Sequence, residues 1–259
     1  MLSQSEKYLS GNALKMIAIV TMFIDHAAVV LIENNILNGP FHFDFQAINS
    51  SKSLTMWWNI DMAMRYIGRF AFPIFCFLIV EGFLHTRDVR KYAWRLLVFA
   101  FISEIPFDLA AFNTWFYIQY QNVYFTLFLG LLAIAGIQRY DGSGGRKESG
   151  EIDFITESPC LWKQAVVIVA CCGAAHLLRT DYDAFGVFFI VLLYLCRNQI
   201  WMQTIIGSIA LLWEVTAPLA FIPIRLYNGT RGKKNLKWFF YLFYPVHLLV
   251  LVIIRAGLG

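Results

Sequence analysis

The chain has 259 residues, of which 59% are hydrophobic and only 15% are charged. This balance excludes a separate soluble domain, and the small formal charge of +4 forms neither a basic arm for nucleic acid nor an acidic tail. The sequence therefore predicts an all-α protein, a polytopic transmembrane bundle of about eight or nine membrane segments that forms one domain over residues 1–259. The five cysteines show no CxxC spacing and lie mostly in apolar runs, which argues against a metal site.

The first predicted membrane helix covers residues 14–32 and contains Lys15, Asp25 and His26. An ionised side chain at mid-bilayer costs about 2.5–3.5 kcal/mol on insertion scales, so such residues usually face protein or a wet cavity. Lys15 and His26 are 11 residues apart, which is three turns plus about 20°, so both leave the helix on one face, about 16 Å apart along its axis. A cation at the mouth and an imidazole deep on the same face predict a channel into the membrane with a reactive end.

Two simpler interpretations of this helix remain open. In one, His26 is a packing residue bonded to a neighbouring carbonyl, and in the other Lys15 only extends to the membrane interface. Asp25 is not favoured as the carboxylate that orients His26, because adjacent residues on a helix point about 100° apart. We expect Asp25 to pair with a different helix.

The placement of lysine and arginine predicts which segments face the cytoplasm. Residues 33–61 contain one lysine and several acids, so we expect an outer loop there and a cytoplasmic N-terminus. The second helix is followed by basic residues that mark the cytoplasmic side. Three of these basic residues are Arg87, Arg90 and Lys91. Together with Lys15 they form the first of two predicted entrances for a polyanionic ligand.

The second and third predicted helices carry charges in the outer half of the membrane. Arg65 and Arg69 share a face of the second helix at spacing i,i+4, and Glu104 and Asp108 share a face of the third. We expect the arginines to meet these two acids, because an unpaired charge at this depth would be far more costly. Whether these residues only hold the helices together or belong to a functional site is left open.

Hydropathy places these two helices at residues 62–84 and 92–112. Pro73 is expected to kink the first of them. Near its end, Glu81 and His85 repeat the i,i+4 spacing.

Further helices are predicted at residues 122–138, 162–178, 184–196 and 238–254. Residues 200–224 are too long for one span and too short for two, so we expect two short helices or a re-entrant hairpin. The basic stretch that follows is the second predicted entrance, because glycines and cations beside a helix start suit a nucleotide diphosphate. Its candidate binding residues are Asn228, Gly229 and Arg231.

The last predicted helix contains a second histidine. His247 lies about ten residues, or ~15 Å, beyond the basic stretch, which is nearly the depth of His26 below Lys15. We therefore expect His247 to be a second polar group of the same site.

Six stretches of the chain, in their order, resemble the TraX family: LKMIAIVTMFIDH, RYIGRFAFPIFCFLIVEGF, SEIPFDL, NVYFTLFLGLLAI, YNGTRG and FYLFYPVHLL. The resemblance implies acetylation of the N-terminus of conjugative pilin subunits. It also implies a place in a wider group of membrane acyltransferases, whose hallmark is Arg or Lys, ten residues and then His, the spacing of Lys15 and His26. In that group the donor is a cytoplasmic acyl-CoA, and the acceptor is often reached from the other side.

The sequence thus predicts a membrane-embedded acyltransferase that moves an acetyl or other acyl group from acyl-CoA to an amine or hydroxyl, for example a pilin-like N-terminus. His26 is the expected general base or acyl carrier, with His247 and Asp25 as further catalytic candidates and Lys15 as a phosphate contact. A proton-coupled transporter and a non-enzymatic membrane assembly factor are the alternatives. We expect a multi-pass protein of the bacterial cytoplasmic membrane, with no metal and no nucleic-acid partner.

Overall fold

A computed structural model describes residues 8–37, 43–141, 160–232 and 234–258. Within these ranges the chain is all-α, as predicted, and its β pairing is limited to two isolated bridges, Leu9 with Tyr227 and Gln121 with Thr180. The count of eight or nine membrane segments stays a prediction. In the described part of the chain, four helical stretches are long and apolar enough to cross a membrane: Gly11–Glu33, Lys52–His85, Leu161–Leu178 and Lys237–Leu258.

Helix α1 (Gly11–Ala27) begins at Ser10, whose hydroxyl accepts a hydrogen bond from the backbone N–H of Ala13. It continues directly into a π-helical segment, Ala28–Glu33, in which the turns are wider than in an α-helix. The predicted first helix is therefore confirmed, and the wider turns come just after its Asp25 and His26.

The predicted outer loop at residues 33–61 is wrong for much of its length. It contains helix α2 (Phe45–Ser50) and the start of helix α3 (Lys52–Gly68). Asp44 and Ser51 cap the two helices by accepting hydrogen bonds from backbone N–H groups of the first turn. The helical residues are too polar on one side for a hydropathy window to detect, and their apolar side packs on a small cluster: Ile32, Leu37, Ile48, Leu54, Trp57 and Trp58.

Helix α4 (Ala71–His85) follows α3 after a break at Arg69 and Phe70. The proline ring at Pro73 has no N–H and clashes with the carbonyl four residues earlier, which is that of Arg69. The kink predicted at Pro73 is therefore confirmed, and it leaves Arg69 at the break between two helices.

The next four helices agree with the predicted spans to within a few residues. Helix α6 starts at the Asn122 cap, and α6 approaches α8 closely, because a Cβ on Gly130 would lie 2.3 Å from Ile190. Buried Phe189, Leu131 and Ile134 form part of this core. The helices are α5 (Val89–Phe112), α6 (Val123–Arg139), α7 (Leu161–Leu178) and α8 (Asp183–Leu195).

Residues 200–225 contain two short helices that fold back on each other as a hairpin, and whether this hairpin is re-entrant in a membrane stays a prediction. Helix α9 (Ile200–Ala210) is followed by two 3₁₀ turns and helix α10 (Phe221–Arg225). The Arg225 guanidinium lies 3.6 Å from the centroid of the Trp201 ring, so the segment returns to its own start. The 11 residues of α9 extend about 16 Å, roughly half of a bilayer core. The chain ends with helix α11 (Lys237–Leu258).

The chain divides into two compact units. The first comprises Met1–Leu78, Phe101–Ile118 and Cys196–Gly259, and the second comprises Ile79–Ala100 and Gln119–Leu195. The expectation of one domain over residues 1–259 stays a prediction. Most candidate residues belong to the first unit, and the second unit holds Glu81, Arg87, Arg90 and Lys91.

Candidate functional site

The two predicted membrane histidines meet. The Nδ1 atom of His26 on α1 lies 2.7 Å from the Nε2 atom of His247 on α11. The two rings meet edge to edge in nearly parallel planes, with 4.9 Å between their centroids and 18° between their planes. His247 is buried, whereas His26 keeps some exposure. The two histidines therefore lie together, and their membership of a functional site stays a prediction.

Aromatic side chains surround the histidine pair. The ring of Phe243 stacks on His247 at a centroid distance of 4.8 Å, and Tyr244 meets His26 edge-on at 5.7 Å. Phe23 lies 6.1 Å from the His247 ring. The Nδ1 atom of His247 also lies 2.7 Å from the backbone carbonyl oxygen of Phe243, one turn earlier on α11. The pair therefore sits in a largely apolar setting in which polar interactions are strong.

Lys15 lies on the same face of α1 as His26, as predicted. Its Nζ atom is 5.3 Å from the centroid of Phe240, which stands on α11 one turn into the helix. Phe240 and His247 both belong to α11, so Lys15 and His26 both face that helix. The interface between α1 and α11 thus has a cation near one end and two imidazoles further along it.

The start of α1 packs against the basic stretch. The backbone N–H groups of Gly11 and Asn12 donate to the carbonyl oxygens of Thr230 and Arg231, at 2.7 and 3.0 Å. These first N–H groups of α1 are therefore already occupied, and an anion here would be bound by side chains. Arg231 lies close enough to Lys15 for the two charges to repel each other. Two neighbouring cations of this kind favour an anionic ligand between them.

Asn228 and Gly229 shape the turn that presents Arg231. The side-chain Oδ1 of Asn228 accepts hydrogen bonds from the backbone N–H and the hydroxyl of Thr230, at 2.9 and 2.7 Å. Gly229 adopts a φ of 76°, which other residues rarely adopt. Asn228, Gly229 and Arg231 are exposed, and their role in ligand binding stays a prediction.

Asp25 pairs with another helix, as expected. One guanidinium nitrogen of Arg65 lies 2.6 Å from the Asp25 carboxylate, and its Nε lies 3.2 Å from the carboxylate of Glu33. Asp25 fits against α3 because a Cβ on Gly68 would lie 2.2 Å from its Oδ1. Asp61, one turn before Arg65, is buried beside the same ion pairs. Asp25 is therefore directed to α3 and not to His247, and a catalytic role for it stays a prediction.

The predicted partners of the arginines need correction. The Nε atom of Arg69 lies 3.1 Å from the carboxylate of Glu214, at the tip of the 200–225 hairpin. Asp108 instead accepts a hydrogen bond from the backbone N–H of Tyr117, at 2.8 Å, so its predicted pairing is wrong. Glu214 of the hairpin contacts Arg69 at the break after α3. The prediction used spacing within the second and third helices alone, and such spacing carries no information about the hairpin. A pairing of Glu104 with these arginines stays a prediction.

Two acids that pair with the arginines were not predicted as their partners, Glu33 and Glu214. Asp61 is buried near Arg65, and a signal for this was available, because Asp61 and Arg65 are spaced i,i+4 on α3. The π-helical segment places Glu33 next to Arg65, and the sequence pattern does not predict a π-helix here. No group of three or more metal-binding side chains is found in the described residues.

The second unit contains the remaining candidates. Glu81 and His85 form the expected i,i+4 pair, with His85 Nδ1 3.7 Å from the Glu81 carboxylate. Lys91 lies 3.3 Å from Asp88, and the Lys91 backbone N–H that donates to Asp88 lowers the pKa of that carboxyl below its usual value. The basic residues of this turn are exposed, and their part in ligand binding stays a prediction: Arg87, Arg90 and Lys91.

These observations define a class, an all-helical membrane protein with a polar site buried between its first and last helices. The family described as TraX protein matches residues 10–255, so the chain belongs to the TraX family. It is 29% identical over 256 residues to the probable fimbrial assembly protein FimC, serogroup H1, of Dichelobacter nodosus, a match that covers 93% of this chain and 94% of that relative. No solved structure matches the chain significantly.

Proposed function

We propose that the protein is a membrane-embedded acyltransferase that moves an acetyl group from cytoplasmic acyl-CoA to an amine or hydroxyl. The observation that carries the proposal is the histidine pair, whose nitrogens lie 2.7 Å apart in an aromatic setting at the same α1–α11 interface as Lys15. A cation near the opening and a base at the inner end suit a long substrate with phosphates at one end and a thioester at the other.

The donor enters between α1 and α11. Lys15 and Arg231 bind its phosphates, because two neighbouring cations are relieved of their repulsion by an anion. The distance of about 16 Å from Lys15 to His26 along the helix axis is of the same order as an extended pantetheine arm. The thioester carbonyl then reaches the imidazoles.

His26 acts as the general base. It takes a proton from the acceptor nitrogen or oxygen while that atom attacks the thioester carbonyl, and the carbon–sulfur bond then breaks. The imidazolium returns its proton to the leaving thiolate, so the products are the acylated acceptor and the free thiol. The aromatic shell limits access of water, which would otherwise compete as the acceptor.

The acceptor is proposed to be the N-terminus of a pilin-like subunit, reached from the outer side of the bacterial cytoplasmic membrane. Membership of the TraX family supports this proposal, as does the name of the Dichelobacter nodosus relative, a probable fimbrial assembly protein. The same name favours a second candidate, a membrane assembly factor without catalysis.

Thiol release from acetyl-CoA separates the two candidates. The purified protein in lipid nanodiscs is mixed with acetyl-CoA and hydroxylamine, a small neutral probe acceptor, and free thiol is measured after subtraction of the release in protein-free nanodiscs, because hydroxylamine also cleaves thioesters without a catalyst. We expect turnover by the wild type and a loss of roughly 10²–10⁴-fold in His26→Ala, the usual contribution of a positioned base. His176→Ala is the matched control, because His176 is an exposed histidine of the second unit. A folded wild type that releases no thiol would support the assembly factor instead.

A further inference from the structure

The hydrogen bonds of the histidine pair define where its protons lie. A backbone carbonyl only accepts hydrogen bonds, so His247 Nδ1, 2.7 Å from the Phe243 oxygen, must carry a proton. In an uncharged imidazole the other nitrogen is then an acceptor. His247 Nε2 therefore accepts a hydrogen bond, and the donor is His26 Nδ1 at 2.7 Å.

This chain of hydrogen bonds leaves one nitrogen available. With its proton on Nδ1, His26 has a lone pair on Nε2, and the hydrogen bond that His26 forms within the described part of the chain is the one from Nδ1 to His247. The apolar setting favours uncharged rings, because an isolated charge there is costly. Histidine in water prefers the opposite tautomer, so the preference of His26 comes from its partner.

We propose that His247 is a positioning residue that fixes the tautomer of His26 through the Phe243 carbonyl, so that His26 Nε2 is the atom that accepts the proton of the acyl acceptor. This inference rests on the proposed acyl transfer for its function, but the tautomer is a property of the unloaded protein. The order along the relay is the Phe243 carbonyl, His247 and then His26. It corresponds in its physical logic to a carboxylate that orients a catalytic histidine.

A packing role for His247 predicts different behaviour. If His247 only fills space, a residue of similar volume replaces it, and His26 has no reason to hold its proton on Nδ1. The relay instead requires a group that accepts from His26 and donates to Phe243. Glutamine meets both needs with its carbonyl oxygen and its amide nitrogen, whereas leucine meets neither. His247→Gln and His247→Leu are therefore a matched pair.

Nitrogen NMR of ¹⁵N-histidine-labelled protein in nanodiscs reads the tautomer directly. The chain has five histidines, so single substitutions assign the signals. We expect His26 to show a protonated Nδ1 and an unprotonated Nε2 in the wild type and in His247→Gln, and the opposite in His247→Leu. A wild-type His26 protonated on Nε2, or the same tautomer in His247→Leu, would overturn the inference.

The kinetic measurement uses acetyl-CoA with hydroxylamine. We expect His247→Leu to lower kcat by roughly 10²–10⁴-fold with little change in the KM for acetyl-CoA, because the base is lost and donor binding is not. His247→Gln should retain most of the wild-type kcat. Equal losses in both variants would overturn the relay. The expected tautomers together with no thiol release in the wild type would leave the relay standing and contradict the acyl transfer.

Discussion

Adjacent polar residues on α1 serve different partners because the helix turns them apart. Asp25 lies against α3, where Arg65 holds it at 2.6 Å, while His26 faces α11 and His247. The angle of about 100° between successive side chains produces this division. An ion pair can therefore stabilise the helix next to a reactive imidazole without binding to it.

The position of Lys15 predicts a binding defect without a chemical one. A hydrogen bond to a charged group contributes about 1.5–3 kcal/mol, so Lys15→Ala should raise the KM for acetyl-CoA by roughly 10- to 100-fold. The kcat should change little, because Lys15 lies near the start of α1, far from the two imidazoles. Lys15→Arg should restore most of the affinity, since either cation binds a phosphate. Steady-state kinetics decides this, and a fall in kcat alone would contradict a phosphate contact.

The corrected partner of Arg69 gives a stability prediction. Arg69→Ala leaves the buried Glu214 carboxylate without this cation, and breaking a buried ion pair costs roughly 3–5 kcal/mol. The double variant Arg69→Met, Glu214→Met should recover part of that loss, because both charges are removed. Unfolding of the purified protein in detergent measures both effects. If Asp108→Met restored stability in place of Glu214→Met, Arg69 would pair with Asp108, as the sequence predicted, and not with Glu214.

The sequence predicts the need for such pairs but not the partners. Two arginines inside an apolar helix require acids, and this much follows from the cost of charge in a membrane. Glu214 reaches Arg69 only because residues 200–225 fold back as a hairpin. That approach depends on packing between helices, which spacing along one helix does not encode.

At the scale of the elements, α1 and α3 come together at a glycine. A Cβ on Gly68 would lie 2.2 Å from Asp25 Oδ1 and 2.3 Å from its Cβ, so any side chain there must push the helices apart or displace Asp25 from Arg65. Small residues often permit such close approach in membrane proteins. Gly68 is therefore the reason that the Asp25–Arg65 pair can form between these two helices.

Gly68→Ala should lower the midpoint of unfolding markedly, because it disturbs the packing and the ion pair together. Gly173→Ala is the control: Gly173 is also helical, and no atom lies within 4 Å of its added Cβ. Alanine there should be neutral or stabilising by about 0.5–1 kcal/mol through helix propensity. Thermal unfolding in one detergent compares the two variants. An equal response at both positions would contradict the close approach at Gly68.

Helix positions were better predicted than the links between helices. The spans at 122–138 and 162–178 correspond to α6 and α7 within a residue or two, because long apolar runs have one regular solution in a membrane. Helix α2 and the start of α3 were missed, since their capping residues and half-polar faces resemble a loop. The similar depth of His26 and His247 in the membrane was predicted from their positions along two separate helices. Their 2.7 Å contact could not be predicted in this way.

At the scale of the whole molecule, the hairpin brings the basic stretch next to the start of α1. The backbone N–H of Leu9, just before α1, donates to the Leu226 carbonyl at 3.0 Å, so the end of the hairpin lies beside the start of α1. Arg225 also returns to Trp201 at the beginning of α9. The two ends of residues 200–225 therefore lie close together, and the basic stretch that follows lies beside the start of α1.

Reporter fusions test the topology that this arrangement supports. The placement of lysine and arginine predicts a cytoplasmic N-terminus, so we expect fusions after Lys91, Gly144 and Lys233 to report the cytoplasm and one after Asn49 to report the outside. Gly144 and Lys233 lie outside the described residues. Alkaline phosphatase is active only outside, and green fluorescent protein fluoresces only inside, so paired fusions give opposite signals at each position. If Lys233 reported the outside while the N-terminus was cytoplasmic, the hairpin would have to cross the membrane, and Arg231 would be unable to bind a cytoplasmic donor.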